Sequence, residues 1–199
     1  MADKQLIPQI QDAVRRKYVE VSTSAGGKFN YPTGREGAIS LGYDSNIVDS
    51  LPDEMVESFC GVGNPFTLGP VKATESVLDV GCGAGFDLIM ASLLVGQQGR
   101  VCGIDITPEM AEKAKKNLFN AALSDFDVRV ADAEAIPYKD KTFDVVISNG
   151  VLNLSPSKEK SFREILRVLK PHGRLQFADI VRREACSPDQ GNTLESWSS

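Results

Sequence analysis

The chain of 199 residues has one histidine and one tryptophan, and its four cysteines, Cys60, Cys82, Cys102 and Cys186, stand far apart with no Cys-x-x-Cys pair. This spacing excludes a zinc ribbon or a disulfide framework, and no metal site is indicated. Widely spaced free thiols suit a reducing compartment, so a cytoplasmic protein is expected. Long apolar runs are also lacking. The longest, Leu88 to Val95, falls well short of a bilayer span and contains Ser92, so no membrane partner is expected. The N-terminal Met-Ala-Asp-Lys-Gln has no apolar signal core. Positive charge is scarce too: 22 Lys and Arg against 27 Asp and Glu leave a net charge of −5. Nucleic acid therefore finds no support as a partner. What is present is an ordinary globular composition, 42% hydrophobic and 25% charged, in a length that suggests one structural domain.

The periodicity divides that length in two. Residues 8–21 read as a helix started by Pro8, with Ile10, Ala13, Val14, Tyr18 and Val21 on one face. A Ser-, Gly-, Asn- and Pro-rich loop fills 22–34. Short helical pieces follow near 35–41, 45–49 and 53–59, and Gly61, Gly63, Asn64 and Pro65 break the chain. From residue 76 strands and helices alternate: strand 76–80, an apolar helix Phe86–Val95 stopped by Gly96, and strand Arg100–Asp105. Next come a helix capped by Thr107 and begun by Pro108, strand 126–130, strand Phe143–Ser148, a helix 158–169 capped by Ser157, and strand 173–181. Met110, Ala114 and Leu118 should line the inner face of the second helix of this series, leaving Lys113, Lys115 and Lys116 solvated. Phe162, Ile165, Leu166 and Leu169 should form the core face of the last helix. The repetition predicts an α/β, Rossmann-like, doubly wound parallel sheet. The expected organisation is a 1–70 helical lid or substrate segment, a 71–181 core and a 182–199 polar tail, all in one structural domain. Strand five would be an open edge.

Function is concentrated first in Asp79-Val80-Gly81-Cys82-Gly83-Ala84-Gly85. Gly81, Gly83 and Gly85 let a ligand approach the backbone where a Cβ would block it, and the helix that follows presents free N–H groups. The dinucleotide pattern G-x-G-x-x-G would need glycine at Phe86, and no Tyr-x-x-x-Lys pair is present, so a nicotinamide dehydrogenase is disfavoured. Asp105 ends strand two, where a carboxylate can accept both ribose hydroxyls of an adenosine. Asn149 ends strand four, at the edge facing the ligand crevice. Asp79 is expected to order the glycine loop or to meet a ligand ammonium group. Cys102 should face the core, and His172 should be an exposed turn residue.

The Asp79–Gly85 stretch resembles motif I of the class I S-adenosylmethionine (SAM)-dependent methyltransferases. The resemblance implies SAM as cofactor, with Cys82 in the cofactor loop, Ile106 beside Asp105, Asp132 at the adenine amino group and the backbone N–H of Ala133 on the ring. It also implies a sheet completed by a C-terminal antiparallel strand pair, for which this chain has no room. A closer similarity, over about 14–181, is to the arsenite methyltransferases. It rests on Gly42-Tyr43, Gly61-Val62-Gly63-Asn64-Pro65, Asp105-Ile106-Thr107-Pro108-Glu109-Met110 and Ser148-Asn149-Gly150-Val151-Leu152-Asn153-Leu154. By this resemblance Tyr43 contacts SAM from the lid, and Asn153 and Cys60, a displaced thiol, touch substrate. The family's arsenic-binding cysteines correspond to Val62 and Gly150. The expectation is therefore a SAM-dependent methyltransferase with a small-molecule acceptor. Arsenite methylation and a non-catalytic SAM-binding module are the alternatives. No general base and no oligomeric state can be read from the sequence.

Overall fold

The computed structural model describes residues 7–123 and 125–181. The expected polar tail and Cys186 lie outside them. Four helices open the chain: α1 (Ile7–Thr23), α2 (Gly34–Ser40), α3 (Ser45–Ser50) and α4 (Asp53–Val56). The core then runs β1 (Ser76–Val80), α5 (Phe86–Val95), β2 (Arg100–Asp105), α6 (Pro108–Asn120), β3 (Phe126–Val130), β4 (Phe143–Asn149), α7 (Lys158–Val168) and β5 (Leu169–Ala178). The strands form one sheet in the order β3-β2-β1-β4-β5, and every neighbouring pair is parallel.

Strand alternation builds the two layers. Val77, Val101, Val145 and Ile147 join one apolar cluster with α5, α6 and the N-terminal helices. Leu78, Val80, Cys102, Ile104 and Val146 join the other with Ile165 and Val168 of α7. Both faces are covered, so the central strands carry continuous apolar runs such as Val77-Leu78 and Val145-Val146-Ile147, whereas β3 alternates as Phe126-Asp127-Val128-Arg129-Val130. Each buried Leu, Ile or Val contributes about 1.5–3 kcal/mol. The N-terminal segment shares the first cluster: Ala38, Tyr43, Val48, Met55, Val56 and Phe59 pack with Phe86, Leu88 and Ala114.

Several expectations are corrected. The helix expected over 53–59 is one turn, Asp53–Val56. Thr107 precedes α6, but its hydroxyl caps nothing; it is buried without a partner among the described residues. Asp105 instead takes the Thr107 N–H, at 2.8 Å. Ser157 likewise makes no side-chain cap on α7. Leu166 points outward, 70% exposed, because Ser161, Ile165 and Val168 hold the inner stripe. Lys113 is not simply solvated: its ammonium donates to the Ser22 carbonyl, the Glu57 carboxylate and the Ser58 hydroxyl, at 2.7–2.9 Å. β5 starts at Leu169 rather than 173 because Leu169 pairs with Phe143 before a register shift brings Arg174 opposite Val145. His172 lies in that irregularity, exposed as expected and at φ +66°.

Candidate functional site

The sheet order reverses direction beside β1, which has β2 on one side and β4 on the other. Loops leaving such a switch point diverge and leave a crevice at the carboxyl ends of the strands. Here the crevice is a cleft of about 800 Å³, its open mouth included. Its floor is Gly81, Gly83, Ile104, Asp105 and Ile106, and one wall is Ala131, Asp132 and Ala133. Asn149, Gly150, Val151 and Leu154 form the wall after β4. A smaller hollow of about 380 Å³ adjoins it beneath residues 58–61 and contains Asp79, Cys82 and Asp87. Cys60, Gly81, Gly83 and Asn149 line both.

Two glycines shape the floor differently. A Cβ on Gly81 (φ +78°) would lie 2.3 Å from the Val151 side chain, so glycine here lets the loops after β1 and β4 meet. Gly83 (φ +51°) has nothing within 4 Å of its Cβ position, so the side chain it lacks would project into open space. Gly85 lines neither hollow; its close neighbour is Ala114, 3.2 Å from the Cβ position, so it sets the approach of α5 to α6. Cys82 belongs to the loop, but its thiol is turned onto Gly103, whose Cβ position lies 2.8 Å from Sγ.

The electrostatics are one-sided. Asp79, Asp87 and Asp105 are all buried. Burial pushes the Asp79 carboxyl well up, and the nearby Asp87 and Asp105 add to it. Asp87 is pushed up to about 6 by burial, held back by hydrogen bonds from Tyr43 and Asn149. Asp105 is raised by burial, against N–H donation from Thr107 and Gly83. No Lys or Arg contributes to any of these three shifts. Buried carboxylates without cationic partners favour a cationic ligand. SAM carries a sulfonium and an ammonium group, and the open space over Gly83 leaves its backbone approachable, so these residues fit the cofactor that the sequence resemblance implies.

The other expected site residues divide. Asp105 holds the Gly83 N–H at 2.9 Å and the Thr107 N–H; each carboxylate oxygen keeps a further lone pair for a ligand. Asp132 takes the Glu134 N–H at 2.9 Å and the side-chain amide of Gln11 at 2.5 Å. The Asn149 amide is committed to protein: its oxygen accepts from Val62 N and Gly63 N at 2.8 and 3.2 Å, and its nitrogen donates to the Gly63 carbonyl and Asp87 at 2.8 and 3.1 Å. It stitches the 61–63 loop to β4. Tyr43 does not line the cleft; its hydroxyl donates to Asp87 at 2.6 Å. Asn153 does not line it either. Its N–H goes to Asp179 at 2.8 Å, and its side-chain oxygen is buried without a partner among the described residues. Cys60 lies where the two hollows join, its thiol pushed up to about 12 by burial and by Asp105. Val62 and Gly150 touch: a Cβ on Gly150 would lie 3.3 Å from a Val62 methyl.

Sequence reasoning expected a lid within 1–70 but did not single out the residues of α1 that face the cleft. Gln11, Val14 and Tyr18 of α1 lie over the cleft, at the i, i+3, i+7 spacing of one helix face. That stripe reads as core packing, so it carried no separate signal. Asp87 was also missed, although it is the single charged residue in α5.

A methyltransferase-domain family profile matches residues 72–198. An arsenite methyltransferase of Halobacterium salinarum is 35% identical over 188 residues, which is 87% of this chain and 48% of that protein. An aklanonic acid methyltransferase of Streptomyces sp. is 35% identical over 114 residues, covering 57% of this chain and 52% of its own. The crystal structure of an arsenic(III) S-adenosylmethionine methyltransferase from Chlamydomonas reinhardtii superposes with a TM-score of 0.53 and 31% identity, over 74% of this chain and 49% of that one. The chain thus spans about half the length of these relatives. Among the described residues no helix is long and apolar enough to cross a membrane.

Proposed function

The chain belongs to the methyltransferase-domain family, whose cofactor is S-adenosylmethionine, and on that premise we propose that it transfers the methyl group of SAM to a small-molecule acceptor. The observation that carries this reading is the trio of buried, cation-free carboxylates around a loop whose Gly83 leaves the cleft floor open. Asp105 would accept the ribose hydroxyls, Asp132 and the backbone after it would read the adenine, and Asp79 would complement the ammonium group. When bound, SAM supplies a methyl group already activated by its sulfonium. The chain's own task is then alignment and exclusion of water, for which α1 and the 58–63 segment form a cover. Holding two reactants in line can contribute about 7–11 kcal/mol to the barrier reduction.

The similarity to arsenite methyltransferases favours trivalent arsenic as a second reading. The neighbouring positions 62 and 150 bear on it directly. Their contact preserves a place where two side chains could converge, but it holds valine methyls and a glycine, neither of which offers a soft ligand. Cys60 is the one thiol lining the larger cleft, and a single raised-pKa thiol is a weak metalloid ligand. The leading acceptor is therefore an organic small molecule.

Calorimetric titration with SAM, and with NAD as control, tests the cofactor site. SAM should bind and NAD should not. Asp105→Asn should weaken SAM by roughly tenfold or more, since a hydrogen bond to a charged acceptor is worth about 1.5–3 kcal/mol. A folded chain that ignores SAM, or prefers NAD, overturns the reading. A radiolabelled-methyl screen including arsenite and small thiols then separates the two acceptor classes.

A further inference from the structure

The protein has four tyrosines, and three of their hydroxyls are accounted for. Tyr31 donates to the Cys60 carbonyl at 3.1 Å, Tyr43 to Asp87 at 2.6 Å and Tyr138 to the Asp127 carbonyl at 2.9 Å. The Tyr18 hydroxyl has no hydrogen bond among the described residues, yet Tyr18 lines the cleft. Tyr18 is half-buried and its oxygen is not among the fully buried unpartnered atoms, so the hydroxyl is left open to solvent or a ligand rather than sealed in the core.

Its place along the cleft distinguishes it from the cofactor contacts. Gln11 marks one end of α1, at Asp132. Tyr18 lies on the same face two turns further, roughly 10 Å along the axis. The groups that act electrostatically on its phenol are Cys60, Tyr31, Asp105 and Asp179; with burial, all of them push its pKa up. The hydroxyl therefore stays protonated and serves as a donor. It stands within electrostatic reach of both Cys60 and Asp105. The surroundings there are apolar: the Tyr18 ring packs with Phe29, Cys60, Ala84 and Met110, and Val14, Val151 and Leu154 complete the walls.

Building on the methyltransferase reading, we propose that Tyr18 is an acceptor-contacting hydrogen-bond donor, and that the methyl acceptor is an apolar, ring-sized molecule carrying a carbonyl or hydroxyl oxygen. The oxygen would receive the Tyr18 O–H while the apolar body lies against Val14, Met110 and Leu154. Such a donor has no use for a bare metalloid, which needs soft ligands.

The test is ligand-observed NMR with 2-naphthol and naphthalene, an equal body with and without oxygen, on the chain saturated with S-adenosylhomocysteine. The wild type should bind 2-naphthol at least fivefold more tightly than naphthalene. Tyr18→Phe, which keeps the ring, should bind both equally. Its affinity for S-adenosylhomocysteine, measured by calorimetry, should stay within twofold of wild type. The proposal is overturned if Tyr18→Phe keeps the preference, if the wild type shows none, or if the variant loses S-adenosylhomocysteine instead, which would make Tyr18 a cofactor contact. If the wild type does not bind S-adenosylhomocysteine, the methyltransferase reading falls and takes this one with it. If it binds and the naphthol preference survives in the variant, this proposal alone fails.

Discussion

At the scale of the residue, Gly81 and Gly83 share a sequence context and a left-handed backbone, yet their substitutions should part company. Gly81→Ala combines positive-φ strain with an overlap on Val151, so it should lower unfolding free energy by about 3 kcal/mol in denaturant titration. Gly83→Ala meets no protein atom. It should cost only about 1–2 kcal/mol of fold stability, but its methyl stands in the cleft and should weaken SAM by roughly tenfold. Asp87 supports a pH prediction. Its carboxyl titrates near 6 when folded, against about 3.9 unfolded. Between those values the native state binds more protons, so this group's contribution to stability falls as pH rises through the window and is flat above it. Asp87→Asn abolishes that slope. Relative to wild type, the variant should gain stability from about pH 4 to about pH 6 and no more beyond, as urea titrations across that range would report.

At the scale of the element, α1 is held at its two ends by different means. Its C-terminal end is fixed where the Ser22 carbonyl accepts from Lys113, at 2.8 Å, and from the Ser58 hydroxyl, at 3.1 Å. Its other end reaches the core's polar wall through Gln11 and Asp132. Lys113→Met should therefore cost about 1–3 kcal/mol and speed amide exchange across α1, while β1 and β2 stay protected; equal loss of protection in the sheet would refute the anchoring role. The elements differ in how visible they were in the sequence. β1, α5 and β2 were legible to the residue because buried apolar runs end at glycines or strand-end acids. The start of β5 was not, since Leu169-Lys170-Pro171-His172-Gly173 reads as a turn although Leu169 pairs with β4. Lys113 looked solvated beside Lys115 and Lys116 because nothing local reveals that Ser22, Glu57 and Ser58 converge on it.

At the scale of the whole molecule, the cleft has a floor whose residues the sequence discloses and a roof whose residues it does not single out. Asp79, Gly81, Gly83 and Asp105 belong to strand ends and a glycine loop, whose chemistry is written within a few consecutive positions. Tyr18 and Gln11 lie on an ordinary amphipathic helix, and only tertiary packing turns that face toward a ligand. The roof is also remote in chain position: the Gln11–Asp132 bond spans 121 residues and the Lys113–Ser22 bond 91. As the chain leaves the ribosome, α1 emerges long before the surfaces that receive it. Loop-closure entropy must be met before such distant contacts repay it. The helix that covers the cleft is therefore synthesised before the surfaces it packs on, so a nascent chain passes through a stage in which α1 has nothing yet to cover.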